Sequence, residues 1–443
     1  MRPPAKGSSS HDFERRTVPV RIDEASRDTL ISRERELAAR YAALAGAGLA
    51  LDVTRGKPSA AQLDLSDGLD GVLGGNYRGE DGTDLRNYGG LDGLPEAKRL
   101  FAPVLQVPAS NVLVGGNSSL TLMWQCALYG MQFGFAGPES AWSRHGKVRF
   151  ICPVPGYDRH FSICEHLGIE MLTVPMTPTG PDMDAVEALL ASDPSIRGMW
   201  VVPRFSNPTG AVCDEQTVAR CAALARHAAP GFRLFWDDAY AVHALAADAP
   251  RLASLHEACG RLGTEDSVLL FGSTSKITHA GAGVAFLAAS EPNLRAIRHH
   301  MGFASIGPDK VNQRRHVAFL GGFDGLLAHM EGHAALLRPR FAAVLDTLER
   351  ELGGSGMGSW SRPRGGYFVS FDTRPGLARE VVRLAAEAGV KLTPAGATFP
   401  YGKDPEDRNI RIAPSFPTVA EIERAMDVFV VCVQLASVRQ RLA

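Results

Sequence analysis

The run Ser267-Val268-Leu269-Leu270-Phe271-Gly272-Ser273-Thr274-Ser275-Lys276 decides how this chain is read. An apolar stretch of strand length opens into small hydroxyl residues and ends on a lysine. That pattern describes a buried strand whose exit carries an amine. Two similar exits lie upstream. Residues 199–202 lead into Ser206-Asn207-Pro208-Thr209-Gly210, and residues 233–236 lead into Asp237-Asp238-Ala239-Tyr240. In an open parallel sheet, ligands bind beyond the carboxyl ends of the strands. The exits therefore offer an amine, an amide, a carboxylate and a phenol to one edge.

Outward from these exits the chain alternates. Residues 112–114, 148–152, 170–174, 199–202, 233–236, 267–271 and 283–288 read as strands, with helices predicted at 182–192 and 213–227. Near-continuous apolar strands separated by helices predict a mostly parallel α/β sheet covered on both faces. Helical spacing predicts helices over 28–49 and 94–105, with a Gly- and Asp-rich loop over 63–93. Helices dominate 291–352. The chain then closes as α+β, with strands at 367–371 and 409–413, a helix at 376–389 and a long C-terminal helix. This gives a flexible segment 1–25, a small α+β domain built from 26–60 and 330–443, and a large cofactor-binding domain over 61–329.

The bulk composition excludes several classes. A length of 443 residues with 45% hydrophobic and 21% charged residues is ordinary for a large globular protein. A formal net charge of −1 provides no global field for nucleic acid or an anionic membrane. The 7 cysteines form no Cys-x-x-Cys, which argues against a zinc site or a disulfide framework. No metal site is expected. The N-terminus lacks the apolar core of a signal peptide. The expectation is a cytoplasmic protein with neither a nucleic-acid partner nor a membrane span.

The residues at the strand exits match what pyridoxal phosphate (PLP) requires. Lys276 supplies an amine for a Schiff base and for moving the Cα proton. Asp237 supplies an anion that keeps the pyridine nitrogen protonated, although Asp238 is its neighbour and an acid here also serves as a helix cap or ion pair. Tyr240 donates to the ring oxygen or fills the core. Asn207 bonds the ring oxygen and a substrate carboxylate, or simply makes a turn. Ser118 and Ser119, after Gly115-Gly116-Asn117, cradle a phosphate at a helix start or cap that helix. Tyr157 stacks on a flat ring or packs a loop. Arg411, on an apolar strand, holds a substrate α-carboxylate or a structural acid.

Together these residues resemble the fold-type I PLP-dependent aminotransferases of the class I/II superfamily. The resemblance runs from about Asp52 to the C-terminal helix. It rests on Arg55-Gly56-Lys57-Pro58, Asn87-Tyr88-Gly89-Gly90-Leu91-Asp92-Gly93-Leu94-Pro95, Asn207-Pro208-Thr209-Gly210, Asp237-Asp238-Ala239-Tyr240, Ser273-Thr274-Ser275-Lys276 and Arg411-Ile412-Ala413. Arg55 to Ser59 and Ile306-Gly307-Pro308-Asp309-Lys310-Val311-Asn312-Gln313 are similar to the MocR-like aspartate aminotransferase branch. The resemblance implies a homodimer with shared active sites. It implies that Tyr88 reaches the neighbour's cofactor phosphate, that the Gly56 backbone contacts substrate, and that Ser273 and Ser275 line the phosphate site. One departure stands out: Gly283 occupies the position where many relatives carry a phosphate-binding Arg.

The expected activity is transamination of an α-amino acid, aspartate, with 2-oxoglutarate as acceptor. A dicarboxylate requires a second cation, and Lys57, Arg55, Arg204, Lys310 and Arg314 are the candidates. A β-lyase, a decarboxylase or a biosynthetic aminotransferase for an unusual amino acid uses the same motifs. A non-catalytic ligand-sensing protein is the reading from another class.

Overall fold

The chain is described over residues 21–443 in a computed structural model. Residues 1–20, which hold most of the segment expected to be flexible, lie outside the described residues. Within 21–25, Ile22 is buried and its N–H bonds the Ser355 carbonyl.

In chain order the strands are β1 Leu51–Asp52, β2 Val112–Val114, β3 Arg149–Val154, β4 Glu170–Thr177, β5 Gly180–Pro181, β6 Ile196–Val201 and β7 Arg233–Asp237. They continue with β8 Val268–Ser273, β9 Ala285–Ala288, β10 Gly358–Trp360, β11 Val369–Thr373, β12 Val390–Lys391 and β13 Asn409–Ile412. The central sheet runs β2-β9-β8-β7-β6-β3-β4-β5. Strands β4, β3, β6, β7 and β8 pair in parallel. Strand β9 is antiparallel to β8 and β2, and β5 is antiparallel to β4. Every residue of β6, β7 and β9 is buried, as expected of mostly apolar strands when helices cover both faces.

Helix starts follow local chemistry. Asp182 caps Met183–Ser192 by accepting from the N–H groups of Asp184 and Ala185. The helix expected over 213–227 begins at Glu215 because Asp214 caps it, and its last turn tightens to a 3-10 turn at Leu224–Arg226. The helix expected to reach 49 stops at Ala45, before Gly46. The region 63–93 is mostly loop, although a short helix, Ala60–Asp64, precedes it and overlaps its first residues.

A second body of structure gathers both ends of the chain. Strands β10, β11 and β13 form an antiparallel sheet, and β1 pairs with β12 in parallel. Helices Arg27–Ala45 and Phe323–Leu352 pack on the C-terminal helix Val419–Leu442. The shared apolar core includes Leu37, Leu348, Phe371, Val381 and Phe429. Strand β13 delivers Arg411 from this body, whereas β7 and β8 deliver Asp237 and Lys276 from the central sheet.

Candidate active site

Strand β7 ends with adjacent carboxylates, and successive strand residues point to opposite faces. Asp238 turns to Arg204, accepting from Nη2 at 2.7 Å and from Nε at 3.2 Å. Asp237 turns the other way, and its Oδ2 accepts from His160 Nε2 at 3.0 Å. The imidazole is fixed by stacking on Trp200, with centroids 4.4 Å apart and planes 10° apart. Asp237 Oδ1 is buried with no partner among the described residues. Asp237 is thus the carboxylate available to a ligand, and Asp238 is structural.

Lys276 follows β8 on a turn closed by Thr274, whose carbonyl accepts from the N–H groups of Ile277 and Thr278. The Lys276 carbonyl accepts from His243 Nε2 at 3.1 Å and from the Tyr367 hydroxyl at 3.4 Å. The main chain is pinned, but Nζ has no hydrogen-bond partner among the described residues. Nζ lies 4.8 Å from the Tyr240 ring centroid. Burial pushes the Lys276 pKa down, and the Asp237 charge opposes that shift. Tyr240 is itself buried, and burial together with Tyr157, Tyr367 and Asp237 raises its pKa.

Arg411 comes from β13, with its guanidinium carbon 5.0 Å from the Phe368 ring centroid. Its Nη1 donates to Asn207 Oδ1 at 3.3 Å and to Asp158 Oδ1 at 3.0 Å. Gly56 reaches the other end of this group. A Cβ there would fall 2.1 Å from Phe368 Cζ, so only glycine permits the approach. Tyr157 immediately precedes helix Asp158–His166, and its ring meets His160 edge-on at 5.0 Å.

The serines expected at a phosphate converge. Ser275 Oγ donates to the Asn117 carbonyl at 3.3 Å, and Ser273 Oγ donates to Ser275 Oγ at 3.1 Å. Asn117 Nδ2 donates to the Gly281 carbonyl at 3.1 Å. Ser118 stands at the N-cap position of helix Ser119–Gln132, but its side chain makes no capping bond. Gly283 is packed tightly: a Cβ there would lie 2.9 Å from Thr274 Oγ1 and 3.3 Å from the Ser275 nitrogen. The position where the resemblance sets an arginine is closed by the turn that presents Lys276.

Tyr88 is 79% exposed and is not joined to this chain's own cluster by any side-chain hydrogen bond. Among the cations considered for a second carboxylate, Arg204 is paired with Asp238 and buried Lys310 donates to the Gly89 carbonyl at 2.6 Å. Lys57 sits 4.0 Å from the Phe416 ring centroid, and Arg55 is exposed beside Gly56. Arg314 is half-buried, with an unpartnered Nε. Residues that sequence reasoning passed over are His160, Asp158, Phe368, His243 and Tyr367. The first two lie on helix Asp158–His166, which the apolar pattern does not announce. Their nearness to Tyr157 is the one signal that points to them.

A buried, mostly parallel sheet presenting an unpaired lysine, a half-satisfied carboxylate and a partly paired arginine defines a fold-type I aminotransferase. Residues 25–443 match the family described as "Aspartate amino-transferase", and the chain belongs to that family, whose members are enzymes that transfer amino groups. It is 47% identical over 399 residues to an aspartate aminotransferase of Corynebacterium glutamicum, covering 90% of this chain and 92% of that protein. The crystal structure of an aspartate transaminase from C. glutamicum superposes with a TM-score of 0.92 at 44% identity, covering 95% of this chain and 99% of that one. An α-aminoadipate aminotransferase from Thermus thermophilus, complexed with N-(5'-phosphopyridoxyl)-L-leucine, shares the fold at TM-score 0.71 and 22% identity, over 94% of this chain and 96% of that one.

Proposed function

We propose that this aminotransferase uses PLP, bound through Lys276, to move the amino group of aspartate to 2-oxoglutarate. The observation that carries this reading is the orphaned oxygen of Asp237. A buried carboxylate oxygen without a donor costs roughly 1–3 kcal/mol. A protonated pyridine nitrogen answers it, so the residues fit the cofactor. When bound, PLP supplies an aldehyde for Lys276 and a ring that draws electrons from the substrate Cα.

The chain's own groups have separate tasks. Asp237, oriented by His160, holds the proton on the ring nitrogen. Asn207 and Tyr240 serve the ring oxygen, and Tyr157 covers the ring face. Ser118, Ser119, Ser273 and Ser275 bond the phosphate, with the N-terminus of helix Ser119–Gln132 behind them. Arg411 and Asn207 hold the α-carboxylate, which fixes the bond to be broken. The Lys276 amine takes the Cα proton and returns it, and its depressed pKa favours the free-base form this requires. Arg55 and Lys57 flank Gly56, and Gly56 touches the ring under Arg411. Arg55 and Lys57 are the cations this reading assigns to a dicarboxylate's second carboxylate, by their sequence neighbourhood to Gly56.

The reading includes a homodimer that shares its sites and a cytoplasmic location. Tyr88, Phe303 and Ile306 are 79%, 82% and 65% exposed. Their loops adjoin, because Gly307 packs on the Gly89 backbone. An apolar surface of this kind suits a second copy of the chain, to whose phosphate Tyr88 would reach. Among the described residues, no helix is long and apolar enough to cross a membrane. All seven cysteines are free and buried.

The test is to load the protein with PLP and follow its visible absorbance with a panel of amino acids and 2-oxo acids. Aspartate plus 2-oxoglutarate should yield oxaloacetate and glutamate. Lys276→Ala should abolish both the lysine-dependent absorbance and the turnover. Failure with every dicarboxylate would reject the aspartate assignment, and an unchanged spectrum in Lys276→Ala would reject the role of Lys276.

A further inference from the structure

The guanidinium assigned to the substrate α-carboxylate already carries an anion. Asp158 Oδ1 lies 3.0 Å from Arg411 Nη1, in a pair whose side chains are 37% and 9% exposed respectively. Nη1 also donates to Asn207 Oδ1, while Nε is buried without a partner. The Asp158 carboxylate has no other hydrogen bond among the described residues. It stands on the first residue of helix Asp158–His166, the same turn that carries Tyr157 and His160.

We propose that Asp158 is an internal competitor for the substrate α-carboxylate, holding Arg411 and yielding it to each acid that enters. A bidentate carboxylate uses two nitrogens of one guanidinium. Because Arg411 Nε is buried, the incoming acid meets Nη1 and Nη2; it must take Nη1 from Asp158 or share it, and sharing leaves two carboxylates against one cation. The pairing of Arg204 with Asp238 shows what a permanent ion pair looks like in this protein. That aspartate side chain is 3% exposed, and Arg204 reaches it through both Nε and Nη2. Asp158 has a single contact and more than a third of its side chain in water, so it can swing out and be solvated at small cost. Arg411 is too buried to stand without a counter-ion between turnovers. Asp158 meets that need while keeping carboxylate affinity below what a bare arginine would give. Tight uniform binding of substrate and product does not speed turnover, and both half-reactions end with a carboxylate leaving Arg411.

This inference rests on Arg411 being the α-carboxylate clamp, and the experiment separates the two. The PLP-loaded enzyme is titrated calorimetrically with succinate and with isovalerate, neither of which carries an amino or oxo group. Asp158→Asn and Asp158→Ser should each bind both acids about three- to fivefold more tightly than wild type, the scale of a partly exposed ion pair. The gain should be the same for both acids, because the competition is at the shared carboxylate. Two variants are used so that one folded protein suffices. Binding unchanged or weakened in the folded variant would overturn the proposal and make Asp158 a support for Arg411. Arg411→Ala should abolish binding of both acids. If it does not, the clamp assignment itself falls.

Discussion

Gly56→Ala tests the substrate end of the site at a single methyl group. The new Cβ would lie 2.1, 2.5 and 3.0 Å from Cζ, Cε1 and Cε2 of Phe368. Carbon atoms rest at about 3.5–4.0 Å, so an overlap of about 1.5 Å must be relieved. Phe368 is 5% exposed and has little room to give. Arg411 lies over its ring, 5.0 Å from the centroid, and Tyr240 meets it edge-on at 6.4 Å. Either the ring shifts and carries Arg411 with it, or the segment around Gly56 backs away from the substrate. Overpacking of this kind costs about 1–3 kcal/mol. Charged to substrate binding, that is roughly a 5- to 150-fold rise in KM. Steady-state kinetics with the amino acid and the 2-oxo acid should show the loss for both, since under the proposed function both place a carboxylate on Arg411. The visible absorbance of the bound cofactor should survive, because the displaced ring lies on the carboxylate side. A KM within about twofold of wild type for both substrates would refute the packing argument.

Two further outcomes follow from the same geometry. Gly283→Arg, which introduces the residue that the family resemblance sets there, should lower stability by about 1–3 kcal/mol and should not tighten cofactor binding, because its Cβ collides with Thr274 and the Ser275 backbone. A thermal midpoint equal to wild type with a lower PLP dissociation constant would contradict this. Burial pushes the pKa of His243 down to about 3, and those of His316 and His333 to about 4. The unfolded chain therefore takes up these protons first, from about pH 6.5, so this stability is complete above that pH and is lost as pH falls toward 4. Each histidine contributes a slope of about 1.4 kcal/mol per pH unit once its unfolded form is charged. His316→Asn should flatten the pH dependence of thermal unfolding between about pH 4 and 6 by that amount, and an unaltered slope would count against a buried neutral His316.

Much of this architecture is legible in the sequence because its central strands are buried on both faces. Residues 268–271 and 234–236 are continuous apolar runs, and the polar residues that follow mark the binding edge. The direction of a strand is not written in such a run, so the antiparallel pairing of β9 with β8 emerges only in the fold. Helix Asp158–His166 escapes the pattern because its buried side is His160, Phe161, Ile163 and Cys164, with a histidine where an apolar residue would announce a core face. Its loss hides the partners of Asp237 and Arg411, which are His160 and Asp158. The opposite problem affects Arg411. The sequence offers either a substrate or a structural acid as its partner, and the fold sets an acid, Asp158, against it on a side chain 37% exposed.

The adjacent acids at the end of β7 show why the site's electrostatics need the fold. Asp237 and Asp238 are equivalent as letters, and either could serve a cofactor. Strand alternation sends them to opposite sides, where each meets a different counterpart. Burial pushes the Asp238 carboxyl up, Arg204 pulls it back, and the neighbouring Asp237 charge pushes it up again. Without Arg204, two buried negative charges would compete across one peptide unit, and one of them would tend to protonate. Arg204 compensates Asp238, while Asp237 meets only His160 on one oxygen and leaves the other oxygen free. That free oxygen is the feature that fits a cationic ring nitrogen. Arg204→Leu should therefore weaken the site from its far side, by leaving Asp238 uncompensated, without touching any group placed at the substrate.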